Sequence, residues 1–317
     1  MIRPLIAVAI TGYVLWRAHP SAVLQAAARA DVRWIALAVA LVIVDRTLMA
    51  YRWVALLCTI KKQDRPPLRS VIRVFFVSTF VGTFLPASVG GDAARAYALA
   101  QLRVAPGQAV ASVLMDRLLG VVSILIVGVA GLLTTRSGDL ASTRAIEVSL
   151  LVAGGVSIAA SLVVFSERAA GAAQAIALRL PFDPIRRIAG DLTRATRAYG
   201  RHHTELALVL AGSIAVQVLR IVQAYCLGQA LYIAAPLTSY FAFIPLILLV
   251  MLLPVSINGI GPSQAAFVWF FSRVAVPDAQ AFALSVLFVA LGIVGNLPGG
   301  LLYALGPAKR GTGSSVF

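Results

Sequence analysis

Arginine and aspartate residues within or beside long apolar stretches are the side chains of this sequence best suited to do chemistry. A charge at the centre of a bilayer costs about 2.5–3.5 kcal/mol on insertion scales, so such residues should face a cavity or pair with each other. Guanidinium groups bind phosphate through two parallel hydrogen bonds and stay charged when partly dehydrated. The set comprises Arg46, Arg52, Arg73, Arg95, Arg117, Arg220, Asp45, Asp92 and Asp116.

Two interpretations of these charges are open. In the first, they only pair with each other, Asp92 with Arg95 one turn on, Asp116 near Arg117, and Asp45 with a nearby arginine. Arg52 and Arg73 are then expected to reach the cytoplasmic interface. In the second, the excess of six arginines over three aspartates predicts an anion-binding cavity. That cavity would be lined by Arg46, Arg95, Arg117 and Arg220.

The composition identifies the compartment. The chain has 317 residues, of which 60% are hydrophobic and 12% charged, with a mean hydropathy of +0.91. A soluble domain carries about twice that share of charge. The net charge is +15, but the basic residues fall between apolar segments, which favours membrane orientation and anionic lipid over nucleic acid. The sequence therefore predicts an integral membrane protein of the inner (cytoplasmic) membrane.

The sequence shows no catalytic or metal-binding pattern. Cys58 and Cys226 provide neither a disulfide framework nor metal-ligand spacing, and the three histidines lie away from any carboxylate cluster. No nucleophile–base arrangement, HExxH, GxSxG or P-loop is present. We expect a protein that is not an enzyme and that needs no metal or cofactor.

Two apolar segments are interrupted where a transmembrane helix should continue. Residues 70–103 break at 85–92, and residues 239–274 break around 253–259, each at proline and glycine. Proline removes a backbone donor and glycine loosens the chain, so a helix should stop at both places. The flanking halves are too short to cross a bilayer comfortably. Each segment is predicted to be a hairpin that enters the membrane and turns back.

Charge distribution supports this topology. If residues 70–103 return to their own side, most lysines and arginines fall on one face, as the positive-inside rule requires. The prediction is an all-α membrane domain with about six transmembrane helices, two re-entrant helical hairpins and both termini cytoplasmic. A basic amphipathic segment, 166–203, is expected to lie on the anionic cytoplasmic leaflet.

The same elements suggest an internal repeat. Arg46, Ala50 and Tyr51 align with Arg220, Ala224 and Tyr225 at an offset of 174 residues, and the two breaks align at an offset of 168. Repeat 1 covers about 34–133 and repeat 2 about 205–305. The topology places them in opposite orientations, which is typical of alternating-access transporters with a site near the middle of the membrane.

The helix starts after the two breaks complete the predicted binding site. Exposed backbone N–H groups at a helix start attract anions, although Asp92 could cap its own half-helix. Together with the arginines above and Asp116, the predicted substrate-binding residues are Ser88, Gly90, Gly91, Asp92, Ser256, Asn258 and Gly259.

The sequence resembles a known family. The stretch 84–95 (FLPASVGGDAAR), followed by 112–120 (SVLMDRLLG) and 254–261 (PVSINGIG), is similar to the flippase-like membrane region of lysylphosphatidylglycerol synthase, the multiple peptide resistance factor. The resemblance covers nearly the whole chain. It implies movement of a lipid between leaflets, without the soluble synthase domain. Family members often carry an Arg-Glu pair where this chain has Ser263-Gln264. The family also includes proteins tied to hopanoid and glycolipid pathways, so the resemblance does not identify the substrate lipid.

These observations predict a lipid flippase or transporter for a polar-headed, phosphate-bearing lipid. The alternative is a non-transporting membrane partner of a lipid-modifying enzyme. A membrane-embedded transferase is the third possibility, disfavoured because no acid–base pair stands out.

Overall fold

The structure, a computed structural model, is all-helical in the part of the chain that it describes. That part consists of residues 21, 24–25, 28–57, 65–84, 89–102, 104–134, 199, 202–252 and 259–305. A short 3-10 turn covers Ser272–Val274. The helices are α1 (Val32–Leu57), α2 (Leu68–Phe84), α3 (Val89–Gln101), α4 (Pro106–Thr134), α5 (His203–Ala230), α6 (Leu237–Leu252), α7 (Pro262–Phe271) and α8 (Asp278–Ala304).

Four of these helices are long and apolar enough to cross a membrane, namely α1, α4, α5 and α8. They contain 26, 29, 28 and 27 residues. At 1.5 Å per residue each is about 40 Å long, which exceeds a hydrocarbon core of about 30 Å. The chain is therefore a multi-pass membrane protein. The two other predicted spans, at about 4–16 and 146–165, lie outside the described residues.

The helices are interrupted at both predicted places. Helix α2 ends at Phe84 and α3 begins at Val89, while α6 ends at Leu252 and α7 begins at Pro262. Proline is well suited to the first turn of a helix because the N–H it lacks would have no partner there. Gly259 and Gly261 precede α7 with φ of 76° and 96°, values that favour glycine. The connecting residues 85–88 and 253–258 lie outside the described part.

The chain reverses direction at each interruption. Along α2 and α3, Gly82 lies against Gly91, and Ser78 contacts Arg95. The order of contacts is thus opposite in the two helices. Along α6 and α7, Met251 lies against Gly259, and the rings of Phe243 and Phe270 are 5.5 Å apart. Both short helices, α3 and α7, therefore pack back along the helix that precedes them.

The series α1–α4 and α5–α8 have the same order of long, short, short and long helices. Their packing partners also correspond. The second helix of each series packs on the fourth helix of the other, α2 on α8 and α6 on α4. The first helix of each series does the same, α1 on α8 and α5 on α4. Helices α1 and α5 run antiparallel along each other. The Asp31 N–H donates to the Ala230 carbonyl at one end, and the Tyr199 hydroxyl donates to the Leu56 carbonyl at the other.

Two glycines make equivalent close contacts in the two series. A Cβ atom added at Gly131 of α4 would overlap the Phe241 carbonyl of α6, and one at Gly299 of α8 would overlap the Phe76 carbonyl of α2. These backbones can approach so closely only because glycine has no side chain. The contacts join each long fourth helix to the first short helix of the other series.

Alanine at Gly131 or Gly299 is expected to destabilise the protein by about 1–3 kcal/mol, the usual cost of overpacking a tight contact. Thermal unfolding of the purified protein in detergent would measure this loss as a lower Tm. Gly120→Ala is the matched control, since an added methyl there meets nothing within 4 Å. Unchanged Tm values for both variants would contradict the close packing of these helices.

Candidate functional site

A cavity of about 320 Å³ opens among the helices. It lies near the middle of the four long helices, at Asp45 of α1, Gly120 of α4, Gln217 of α5 and Gly292 of α8. The short helices α2, α3 and α6 also contribute. Its charged and polar lining residues are Asp45, Arg46, Arg52, Ser78, Thr79, Thr83, Asp92, Arg95, Asp116, Arg117, Gln217, Arg220, Gln223 and Asn296.

Asp116 forms the centre of the first charged cluster. One of its oxygens, Oδ1, accepts from Arg52 Nε at 2.9 Å and lies 2.6 Å from Arg52 Nη2. The other oxygen, Oδ2, lies 3.5 Å from Arg95 Nη1. Arg52 Nη1 also donates to the Ser213 hydroxyl at 2.9 Å. The carboxylate joins α4 to α1 and α3, and Arg52 extends the buried cluster to α5.

Arg95 is held on every side of its guanidinium group. Its Nε donates to the Ser78 hydroxyl at 3.3 Å, and its Nη2 donates to the Thr79 hydroxyl at 3.2 Å. The guanidinium carbon lies 5.2 Å from the Trp53 ring centroid and 4.7 Å from that of Phe75. Within about 6 Å, such contacts are attractive cation–π interactions. Arg95 thus fixes α3 against α1 and α2.

Asp45 forms the second cluster, between two arginines that correspond at the offset of 174. Its Oδ2 accepts from Arg46 Nη1 at 3.2 Å, and its Oδ1 lies 3.5 Å from Arg220 Nε. Both arginines also donate to the Met49 sulfur at 3.3 Å, and Arg46 Nη2 donates to the Gly292 carbonyl at 3.3 Å. These contacts are longer than those of Arg52, and a thioether is a weak acceptor.

Arg117 and Asp92 form the third ion pair. Arg117 Nε donates to Asp92 Oδ2 at 2.6 Å, and the Arg117 side chain is 41% exposed. Asp92 lies in the first turn of α3, where a carboxylate interacts favourably with the positive end of the helix. The pair connects α3 to α4 at the most open part of the charged lining.

Several buried polar atoms in the lining lack a hydrogen-bond partner in the described structure. They are Asp45 Oδ1, Arg46 Nε, Gln217 Oε1, Gln223 Nε2 and Asn296 Oδ1; Asp45 Oδ1 has only the 3.5 Å ion-pair contact with Arg220 Nε. The amides are partly satisfied, since Asn296 Nδ2 donates to the Thr83 hydroxyl at 2.7 Å and Gln217 Nε2 donates to Ser123 at 3.2 Å. A buried polar group without a partner costs about 1–3 kcal/mol. A polar molecule in the cavity could satisfy these atoms.

The structure brings most of the described predicted site residues together. Gly90 does not line the cavity, and Ser88, Ser256 and Asn258 lie outside the described residues. The eight predicted residues that line it are Arg46, Gly91, Asp92, Arg95, Asp116, Arg117, Arg220 and Gly259.

The sequence predicted the wrong partners for Asp92 and Asp116 and the wrong place for Arg52. Asp92 pairs with Arg117 rather than Arg95, and Asp116 pairs with Arg52 and Arg95. Arg52 was expected at the cytoplasmic interface, yet its side chain is only 5% exposed and lines the cavity. The reason is that α3 packs on α4, so each charge meets a partner on the neighbouring helix.

Sequence reasoning missed three amides of the lining, Gln217, Gln223 and Asn296. Each lies within a membrane-crossing helix, α5 or α8. An amide in a transmembrane helix needs hydrogen-bond partners inside the protein, so this signal was available. Arg52 was visible as an intramembrane charge but was assigned to the interface.

Ser263 and Gln264 are buried and do not line the cavity. Gln264 Oε1 accepts from the Gly261 N–H at 2.6 Å and from the Ser263 hydroxyl at 3.1 Å. This side chain therefore supports the start of α7.

No group of three or more metal-ligating side chains occurs among the described residues.

The family model described as the lysylphosphatidylglycerol synthase TM region matches residues 1–299. No curated protein and no solved structure matches this sequence.

Proposed function

This chain belongs to the family of lysylphosphatidylglycerol synthase transmembrane regions, and we propose that it is a flippase for a polar-headed, phosphate-bearing lipid. The observation that carries the proposal is the charged cavity near the middle of four membrane-crossing helices. A lipid headgroup must pass the hydrocarbon core to change leaflets. Charges at that depth supply the solvation that hydrocarbon lacks.

The architecture supports alternating access. The antiparallel packing of α1 on α5, the matched helix order and the equivalent contacts of the two series are what an inverted repeat requires. In this proposal, α2–α3 and α6–α7 are the re-entrant hairpins, and the headgroup crosses between them. Inverted-repeat transporters bind substrate at the repeat interface and expose it to either side by rocking one unit against the other.

The arginines of the cavity would bind the headgroup while the acyl chains remain in the bilayer. Arg46, Arg117 and Arg220 are the candidates with room to do so, since their side chains are 12%, 41% and 22% exposed. The N–H groups at the start of α3 and before α7 would add donors. The basic segment 166–203 would lie on the anionic leaflet of the inner membrane, with both termini cytoplasmic.

Reconstituted vesicles test the proposal directly. The purified protein is expected to accelerate exchange of a labelled phospholipid between leaflets, relative to vesicles that carry an unrelated membrane protein of similar size. Chemical quenching of the label in the outer leaflet measures the exchanged fraction. A protein that exchanges no phospholipid, yet co-purifies with a lipid-modifying enzyme, would contradict the flippase and support the partner function instead.

The topology gives a second test. Single cysteines at positions 62 and 190 are expected to react with an impermeant reagent from the same face, and one at position 140 from the opposite face. The contact of Tyr199 with Leu56 supports this, because it brings the start of α5 beside the end of α1. The start of α4, at Ala111, belongs to the same cluster. Reaction of positions 62 and 190 from opposite faces would rule out the inverted repeat.

A further inference from the structure

The charges that line the cavity do not balance. Five arginines and three aspartates line it in the described part of the chain, and that lining contains no lysine, histidine or glutamate. Two positive charges remain when each carboxylate is paired with one guanidinium group. An uncompensated charge away from water costs several kcal/mol, so the lining favours an occupant that carries two negative charges.

The surplus is divided between two clusters. Asp92 and Arg117 neutralise each other. Asp116 lies between Arg52 and Arg95 and leaves one positive charge there. Asp45 lies between Arg46 and Arg220 and leaves the other.

The two clusters differ in how firmly their arginines are held. Arg52 donates to two partners at 2.9 Å, and Arg95 is fixed by Ser78, Thr79 and two aromatic rings. By contrast, Arg46 Nε has no hydrogen-bond partner among the described residues. Arg46 and Arg220 share one carboxylate and one thioether at 3.2–3.5 Å. Their guanidinium groups are therefore the pair best able to turn to a ligand.

We propose that the cavity binds the dianion of a phosphate monoester, with the guanidinium groups of Arg46 and Arg220 on its oxygens. This inference rests on the proposed function and narrows its substrate. A phosphodiester headgroup carries one negative charge, which would leave one surplus positive charge in the lining. A monoester carries about 1.5–2 negative charges at pH 7 and three strong acceptor oxygens. Its charge matches the surplus of two positive charges in the whole lining, and its oxygens can accept from both guanidinium groups.

The rest of the lining suits a monoester that carries an apolar chain. Helix α6 contributes only apolar side chains, Leu248, Met251 and Leu252, and α8 adds Phe288 and Val289. A soluble phosphate ester presents the same dianion without the chain. Both sources share one chemistry, and the test separates them.

The decisive comparison uses two lipids that differ by one methyl group. Phosphatidic acid carries the monoester, and phosphatidylmethanol with the same acyl chains carries a diester of nearly the same size. Binding to the purified full-length protein in nanodiscs is measured for both by competition with a fluorescent phosphatidic acid. We expect phosphatidic acid to bind about tenfold more tightly, the effect of one additional charge-assisted contact. Equal affinities would overturn the proposal.

Variants locate the effect in the cavity. Arg46→Ala and Arg220→Ala are each expected to reduce the preference for phosphatidic acid to less than about threefold, whereas Arg33→Ala should keep it near tenfold. Arg33 is exposed at the start of α1 and supplies the same loss of charge outside the cavity. Each variant is first checked for an unchanged Tm. If Arg46→Ala lowers the Tm, Arg46→Lys replaces it in the binding comparison. A preference that survives loss of both arginines would also overturn the proposal.

Soluble glycerol 3-phosphate identifies the source of the dianion. Displacement of the fluorescent lipid at concentrations near those of phosphatidic acid would support a soluble phosphate ester, and no displacement would support a lipid. Leaflet exchange is measured separately. Exchange of phospholipids without the monoester preference would refute this inference alone, and the preference without any exchange would refute the flippase alone.

Discussion

Replacing Asp116 by asparagine is expected to lower the free energy of unfolding by about 3–5 kcal/mol, the cost of removing one partner from a buried ion pair. Asp116 is the carboxylate shared by Arg52 and Arg95. The amide would leave two guanidinium groups in a buried cluster without a counter-charge. Chemical denaturation of the protein in detergent, followed by tryptophan fluorescence, would measure the loss.

Glu205→Gln is the matched control for this prediction. It removes the same charge from a carboxylate that is 48% exposed and lies 3.6 Å from His202. Because exposed pairs contribute about 0–1 kcal/mol, this variant should unfold nearly as the unchanged protein does. The double variant Arg52→Leu with Asp116→Leu should recover part of the loss, since the pair is then removed together. An Asp116→Asn protein of unchanged stability would show that the cluster does not hold these helices together.

The membrane-crossing helices and the two interruptions were predictable from local sequence. Apolar stretches of about 27 residues are typical of membrane-crossing helices, and proline with glycine favours the end of a helix, although Pro298 and Gly299 lie inside α8. The four described spans and the ends of α2, α3 and α6 agree with the sequence within a few residues. These features depend on the chemistry of neighbouring residues, which the sequence displays directly.

The partners of the charges were not predictable in the same way. A pairing of Asp92 with Arg95 follows from helical spacing, but α3 is packed between neighbouring helices. Arg95 therefore meets Asp116, which is 21 residues away, and Asp92 meets Arg117, which is 25 residues away. Spacing along one helix gives the face on which a charge lies. It does not give the helix that packs against that face.

The two glycines at the interruptions illustrate the same limit. Gly91 and Gly259 are among the substrate-binding residues predicted from the sequence, and both line the cavity. A side chain at Gly91 would also meet Gly82 and the Ser78 carbonyl, while one at Gly259 would meet Met251. Larger residues there would separate the paired helices. Loss of transport in such variants therefore reports on packing as well as on headgroup access.

The charged lining is unequal between the two series of helices. Asp92, Arg95, Asp116 and Arg117 all come from α3 and α4, whereas α8 contributes Phe288 and Val289 near the corresponding depth. Arg220 is the charged lining residue that the second series supplies in the described part. The two series are thus more alike in helix order than in the chemistry of the side chains that line the cavity. A headgroup would contact mainly the first series, with Arg220 facing it from the second.

Arg46→Ala and Arg220→Ala are each expected to slow leaflet exchange about 10- to 100-fold, because each removes charge-assisted hydrogen bonds to the headgroup worth about 1.5–3 kcal/mol. The two effects should be similar, since the arginines occupy equivalent positions on α1 and α5 and share Asp45. Vesicles with equal amounts of each variant, assayed with the same labelled lipid, would give the rates. Arg117→Ala is expected to reduce the rate as well.

Comparing the exchange rate with the Tm of each variant shows whether Arg46 and Arg220 bind the headgroup or stabilise the fold. Arg52→Ala removes the firmest contacts of Asp116 and is expected to lower Tm sharply, while Arg46→Ala and Arg220→Ala should leave Tm within a few degrees. Arg33→Ala should change neither property, because its side chain is exposed and outside the cavity. If Arg46→Ala and Arg220→Ala lower Tm as much as Arg52→Ala does, both arginines serve the fold. The headgroup would then have to bind elsewhere in the cavity, with Arg117 as the remaining candidate.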